Sequence, residues 1–290
     1  MIRYLLCFLT MFLVFAFGSG IGNAVAGEGY VHTGLQGDEI SLTEWHPHYR
    51  ERCYFIGEEN PNNTKTKIIE ELLSFLRQEP ELAEYLLDSA NKLGTAFCLD
   101  ERADGTRGYF DYRYNLIAIR ESLPLLRKLI IFVHELRHID NVSRGYCHSL
   151  DYDIDEMVRL TYAVEADVQA ITALYAWRMK LRGLGGPWQT FVGLPLYADI
   201  ARAFAREMNA SEDESSAAQA AFRQWYRSRW RIENYRNSCY MGYLDLLDET
   251  KRLPQYTLLP DNFFDELCIF PDGRNYGCHL TPEIQWHPWP

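Results

Sequence analysis

The chain has 290 residues, of which 47% are hydrophobic, and a formal net charge of −11. That length and apolar share suffice for one large domain with a full core. The acidic balance argues against a nucleic acid or an anionic membrane as partner, since both are polyanions.

The first residues set the expected compartment. Arg3 gives a short basic start, residues 4–17 are almost wholly apolar, and Ala24-Val25-Ala26 offers small residues for cleavage. This pattern predicts a secretory signal peptide over 1–26, with residues 27–290 extracytoplasmic, periplasmic or secreted. Left uncleaved, the same stretch would anchor the chain, the one membrane contact the sequence suggests. Beyond Cys7 there remain Cys53, Cys98, Cys147, Cys239, Cys268 and Cys278. An even number in an exported chain predicts three disulfides, with 15 possible pairings. Cys268 with Cys278 is the easiest pair to place, because the two flank the turn Pro271-Asp272-Gly273. Asn62, Asn141 and Asn209 start glycosylation sequons, which matter only in a eukaryotic secretory pathway.

Residues 27–60, with glycines and acids but few periodic positions, read as a loose arm; His46 and His48 there read as solvated loop histidines. A helix is expected over 63–78, with Ile68, Ile69, Leu72, Leu73 and Leu76 on one face, and a second from Pro80 to Gly94. The two are expected to pair antiparallel, tied to the core by Cys53 or Cys98. A short strand over 95–98 and a hairpin of 108–111 with 116–119 follow.

Ser122 and Pro124 open a helix over 124–141 that carries His134-Glu135-Leu136-Arg137-His138. Positions i and i+4 share a helix face, so His134 and His138 can bring two imidazoles to one metal ion. Glu135 is rotated about 100° from His134. It stands beside the metal rather than on it, where a general base for an activated water belongs. The helix is apolar nearly all round, which marks it as buried. Buried histidines need polar partners; an ion is one, and ordinary core hydrogen bonds are the bland alternative.

A catalytic zinc site takes three protein ligands. The metzincin extension would place Gly seven and His or Asp ten positions after His134; Asn141 and Arg144 stand there and exclude it. The next helix, 153–182, has an apolar stripe of Met157, Leu160, Val164, Val168, Ile171 and Tyr175. Glu165 sits at the stripe's edge among small residues, where a carboxylate can reach the metal. Asp167 is the rival ligand, and the two acids point about 200° apart, so both cannot ligate. Asp151, Asp153 and Asp155 fail the calcium-loop pattern, because Glu156 and Tyr162 stand where Gly and Glu are needed. They are better read as capping the helix start.

The stretch from Tyr109 to Ala170 resembles a compact gluzincin, the zincin branch with a glutamate third ligand. The pairing of His-Glu-Leu-Arg-His with Glu165-Ala166-Asp167 is similar to a group of bacterial metallopeptidases, over about residues 95–182. The resemblance implies an α+β, zincin-like fold, zinc on His134, His138 and Glu165, and Glu135 as base. It implies hydrolysis of peptide bonds in a peptide or protein substrate. Many gluzincins carry an acid four positions after the ligand glutamate, orienting a histidine; here that position is Gln169. Tyr162, one turn before Glu165, is a candidate for stabilising the oxyanion.

Further helices are expected over 198–208, 214–230 and 234–250. The segment 222–236 mixes Phe222, Trp225, Tyr226, Trp230 and Tyr235 with five arginines; in an acidic chain it reads as aromatics turned inward and arginines solvated or paired. From Leu253 to Pro290, a proline- and aromatic-rich tail that includes His279 and His287 is expected to wrap the fold. The whole reads as one domain, with its core over about 95–182 and a disulfide-stapled extension over 183–290. A reading from another class is a secreted binding protein of zincin-like fold whose metal site is structural or inactive. An intact Glu135 argues against it, since a structural site needs no base.

Overall fold

The computed structural model describes residues 52–100, 107–111 and 115–278. The expected signal peptide, the arm up to residue 51 with His46 and His48, and His279 and His287 lie outside them. The described chain is α+β, with eight helices and one four-stranded sheet.

The sheet holds β1 (Cys53–Phe55), β2 (Ala96–Asp100), β3 (Gly108–Asp111) and β4 (Leu116–Arg120). Their order across the sheet is β1-β2-β4-β3. β3 and β4 form the expected antiparallel hairpin, while β2 runs parallel to β4. β1 was expected to be part of a loose arm. It is a strand because Cys53 lies opposite Cys98 in the ladder and is disulfide-bonded to it. Three residues are too few to show a period of two.

Two helices follow β1: α1 (Thr64–Leu76) and α2 (Pro80–Leu93). Asn63 starts α1 with a reciprocal cap, its side chain accepting from the Thr66 N–H while the Thr66 hydroxyl accepts from Asn63 N–H. The Glu79 carboxylate accepts from Leu82 N–H at the start of α2, and Gly94 ends it at φ 65°, a left-handed conformation that favours glycine. The expected antiparallel pairing is not what forms. Each helix rests on α3 (Leu125–Ser143), the motif helix, rather than on the other along its length.

Helix α3 is buried over nearly its whole middle, from Lys128 to Asn141. The sheet lies on one side of it and α4 (Ile154–Leu181) on another. Asp153 caps α4 through the Asp155 N–H, as its position at a helix start suggested. Gly108 lets β3 approach α3 closely: a Cβ there would stand 2.3 Å from the Ile131 Cγ2.

The C-terminal half packs on α4 as α5 (Gly186–Val192), α6 (Ala198–Ser211), α7 (Glu214–Trp225) and α8 (Arg229–Thr250). The sequence gave no hint of α5, because Gly185-Gly186-Pro187 reads as a breaker. In the fold Pro187 occupies the first turn, where it is tolerated, and Trp188 and Phe191 are buried. α7 is shorter and α8 starts earlier than expected, because Ser228 caps α8 by accepting from the Arg231 N–H. Beyond α8, Cys268 and Cys278 are bonded around the turn at Gly273, the pair the spacing suggested.

The three-disulfide expectation fails at Cys239. It is free and buried on α8, beside the Thr161 hydroxyl on α4, and burial pushes its thiol up to about 12. No described helix is long and apolar enough to cross a membrane.

Candidate metal centre

His134 and His138 lie one turn apart on α3, and their Nε2 atoms point to a common spot, 3.0 Å from each other. Glu165 reaches the same spot from α4. Its Oε1 is 3.2 Å from the His138 Nε2, and its Oε2 is 3.9 Å from the His134 Nε2. One ligand atom from each residue fits within a 4.8 Å cluster. A tetrahedral ion with bonds of about 2.1 Å holds its ligand atoms about 3.4 Å apart, and the three separations bracket that value.

Donor chemistry fits an ion as well as the distances do. His134, His138 and Glu165 are 2%, 5% and 0% exposed, and neither oxygen of Glu165 makes a hydrogen bond of good geometry among the described residues. A buried carboxylate without donors is costly unless a cation lies beside it. These three residues could therefore hold a metal.

Glu135 lies next to the cluster and is also buried. Burial pushes its carboxyl up to about 8, and the Glu165 charge adds to this, while His138 and the Phe110 backbone N–H oppose it. Its Oε1 has no partner among the described residues. Burial holds the two imidazoles apart in character. His134 is pushed well below its ordinary value by burial and by His138. Burial alone would also depress His138, but Glu165 and Glu135 outweigh it and hold it above the ordinary value.

Asp167 is not at this cluster. It sits on another side of α4 and takes a two-pronged bond from Arg137, whose Nε is 2.8 Å from Oδ2 and whose Nη2 is 2.9 Å from Oδ1. Asn141 Nδ2 and the Tyr276 hydroxyl donate to it as well. Burial alone would raise its carboxyl, but Arg137 holds it below the usual carboxylate value. Arg137 also donates to Asp140 and to the carbonyls of Leu267 and Ile269, which ties the disulfide-closed turn to the motif helix. The sequence showed no sign of this clamp.

Gln169 lies one turn beyond Glu165, and its side-chain amide is 3.2 Å from the His134 Nδ1. An amide oxygen there would accept from Nδ1–H, which leaves the Nε2 lone pair free for an ion. The side-chain N and O assignment follows the hydrogen-bond network and can be exchanged. The position that carries an acid in many gluzincins is thus filled by a neutral group touching the same histidine. Tyr162 does not face the cluster; its hydroxyl donates to the Ile232 carbonyl. Two tyrosines the sequence left unassigned do approach it. Tyr197 and Tyr235 are buried with their hydroxyls 3.0 Å apart, and Glu165 is among the charges that act on both.

Residues 47–278 match the Putative metallopeptidase family (DUF6782). The chain belongs to this family. No curated protein and no solved structure matches it. The family description requires a metal, and His134, His138 and Glu165 are the buried group among the described residues that could hold one. The metallopeptidase match spans the sheet, the motif helix and the C-terminal helices together, so it covers far more chain than the motif alone.

Proposed function

We propose that this chain is a zinc-dependent peptidase of the gluzincin type that works outside the cytoplasm on a peptide or protein substrate. The convergence of His134, His138 and Glu165 on one buried spot, with Glu135 beside it, carries the reading. His134, His138 and Glu165 are the three protein ligands, which leaves a fourth position for water or substrate. A bound zinc ion supplies Lewis acidity, polarising a carbonyl and acidifying water. Glu135 accepts the proton from the attacking water and passes it to the leaving amine. Gln169 holds the His134 ring in its ligating tautomer. The two disulfides, Cys53–Cys98 and Cys268–Cys278, support an oxidising compartment and so an export signal over residues 1–26.

The near-complete burial of the cluster favours a second reading, a zincin-fold binding protein with a structural metal. Glu135 opposes it. The test is metal content together with hydrolysis of a peptide library, with and without a zinc chelator. The peptidase should hold about one zinc per chain. Glu135→Gln keeps the size of the side chain but accepts no proton, so zinc should stay while hydrolysis falls at least about a hundredfold. Zinc binding without any hydrolysis by the wild type would favour the structural reading.

A further inference from the structure

A carboxylate that ligates with one oxygen needs a hydrogen-bond donor on the other. In this site that donor is not supplied by the histidines, because both Nε2 atoms point to the metal position. Glu165 is 0% exposed, so water does not reach it readily either. One phenol faces its carboxylate closely enough to hydrogen-bond, that of Tyr235 on α8, which is itself buried.

The placement of this phenol is built, not incidental. Arg231 lies one turn before Tyr235 on α8 and is 1% exposed. Its guanidinium pairs with Asp199 on α6 at 2.7 Å and donates to the carbonyls of Leu196, Gln224 and Trp225. That knot fastens the start of α8 to the start of α6. Tyr197 follows Leu196 directly, so the same knot brings the Tyr197 and Tyr235 hydroxyls to 3.0 Å. The Tyr235 ring is wedged against Trp225, with centroids 5.4 Å apart, which limits where its hydroxyl can swing. A small closing movement of Glu165 onto an ion completes the bond, as apo contacts commonly tighten when a ligand arrives.

We propose that Tyr235 is a positioning residue for the metal centre: its hydroxyl, steadied by that of Tyr197, donates to Glu165 and fixes this carboxylate in its ligating orientation. The inference rests on the zinc reading above. It assigns Tyr235 no contact with substrate.

The test is zinc affinity of the full-length protein, by competition with a chromogenic chelator, alongside the visible spectrum of the cobalt-substituted form. Tyr235→Phe keeps the ring on Trp225 and deletes only the hydroxyl. It should weaken zinc binding by about 10- to 100-fold, the usual effect of losing such a partner, and alter the cobalt bands. Tyr197→Phe should weaken binding less. Tyr162→Phe removes a phenol from the same core that faces Ile232, and should change neither readout; it controls for phenol loss in general. Tyr235→Phe with wild-type zinc affinity and an unaltered cobalt spectrum overturns the proposal while leaving the zinc reading intact. Wild-type protein that binds no zinc overturns both.

Discussion

Asp167→Asn separates the two acids of α4 by a measurement that does not depend on turnover. Four donors converge on Asp167: Arg137 Nε and Nη2, Asn141 Nδ2 and the Tyr276 hydroxyl. Asparagine replaces one of the two accepting oxygens with an NH2 group, so two of those donors then face a donor. It also removes the charge opposite a fully buried Arg137. Breaking a buried pair by removing one partner costs about 3–5 kcal/mol. Asp140 remains within 2.7 Å of the Arg137 Nη1 as a second counter-charge, which places the expected loss near the lower end, about 3 kcal/mol. At about 2–4 °C per kcal/mol for a domain of this size, the metal-free variant should melt roughly 6–12 °C below the wild type. Its zinc content should remain one per chain, because Asp167 points away from the histidines. The pH dependence has a definite sign. Asp167 is held below its ordinary value, so its contribution is complete above the unfolded pKa of about 3.9 and disappears as pH falls through the folded value. The stability gap between wild type and variant should therefore shrink in strong acid. Unchanged thermal stability together with lost zinc would refute the assignment and make Asp167 the third ligand.

Gly108→Ala should cost about 1–3 kcal/mol by overpacking, since its Cβ would meet the buried, β-branched Ile131; thermal melts of Gly108→Ala with and without Ile131→Ala should show the second substitution recovering part of the loss. Alkylation of native protein should leave Cys239 unlabelled, and alkylation after unfolding without reductant should label it, while Cys53, Cys98, Cys268 and Cys278 stay blocked in both; mass spectrometry reads this directly, and early labelling of Cys239 would mean that α8 opens from α4. Gln169→Ala should weaken zinc binding by about tenfold with little change in melting temperature of the metal-free form; an unchanged affinity would remove Gln169 from the support of His134.

What the sequence made legible was local. The caps at Asn63, Pro80 and Gly94 are written in single residues and their neighbours, and α1 and α2 begin and end where those residues place them. The hairpin of β3 and β4 is likewise a matter of adjacent strands and a tight turn. His134 and His138 meet because one helical turn separates them, whatever the rest of the chain does. The missed features are contacts across long separations. β1 exists through Cys98, α5 through a core that buries Trp188 and Phe191, and the phenol pair through Arg231 reaching back to Asp199. The aromatic and basic segment 222–236 was read correctly as aromatics turned inward, with Phe222, Trp225 and Tyr235 buried. Its one fully buried arginine, however, has the same spacing and composition as its solvated neighbours, so nothing in the sequence singled it out.

The two central positions of His-Glu-Leu-Arg-His look like spacers in the sequence, and the fold shows that one of them is not. Helix geometry alone sets the distance between His134 and His138. The remaining freedom in the ligand triangle is the register of α4 against α3, since a shift of one residue moves Glu165 by about 1.5 Å along the axis and turns it by about 100°. Arg137 removes that freedom. It lies between the two histidines in sequence but on another face, and its forked bond to Asp167 can form in a single register. Asp167 in turn lies two residues from Glu165, about 200° round the same helix. The acid that competes with Glu165 in the sequence is therefore the one whose clamp carries Glu165 to the histidines, and the same guanidinium holds the disulfide-closed turn through Leu267 and Ile269. Glu165 needs Asp167 opposite Arg137 in order to be where it is, which is why the two acids occur together and why only one of them faces the metal position.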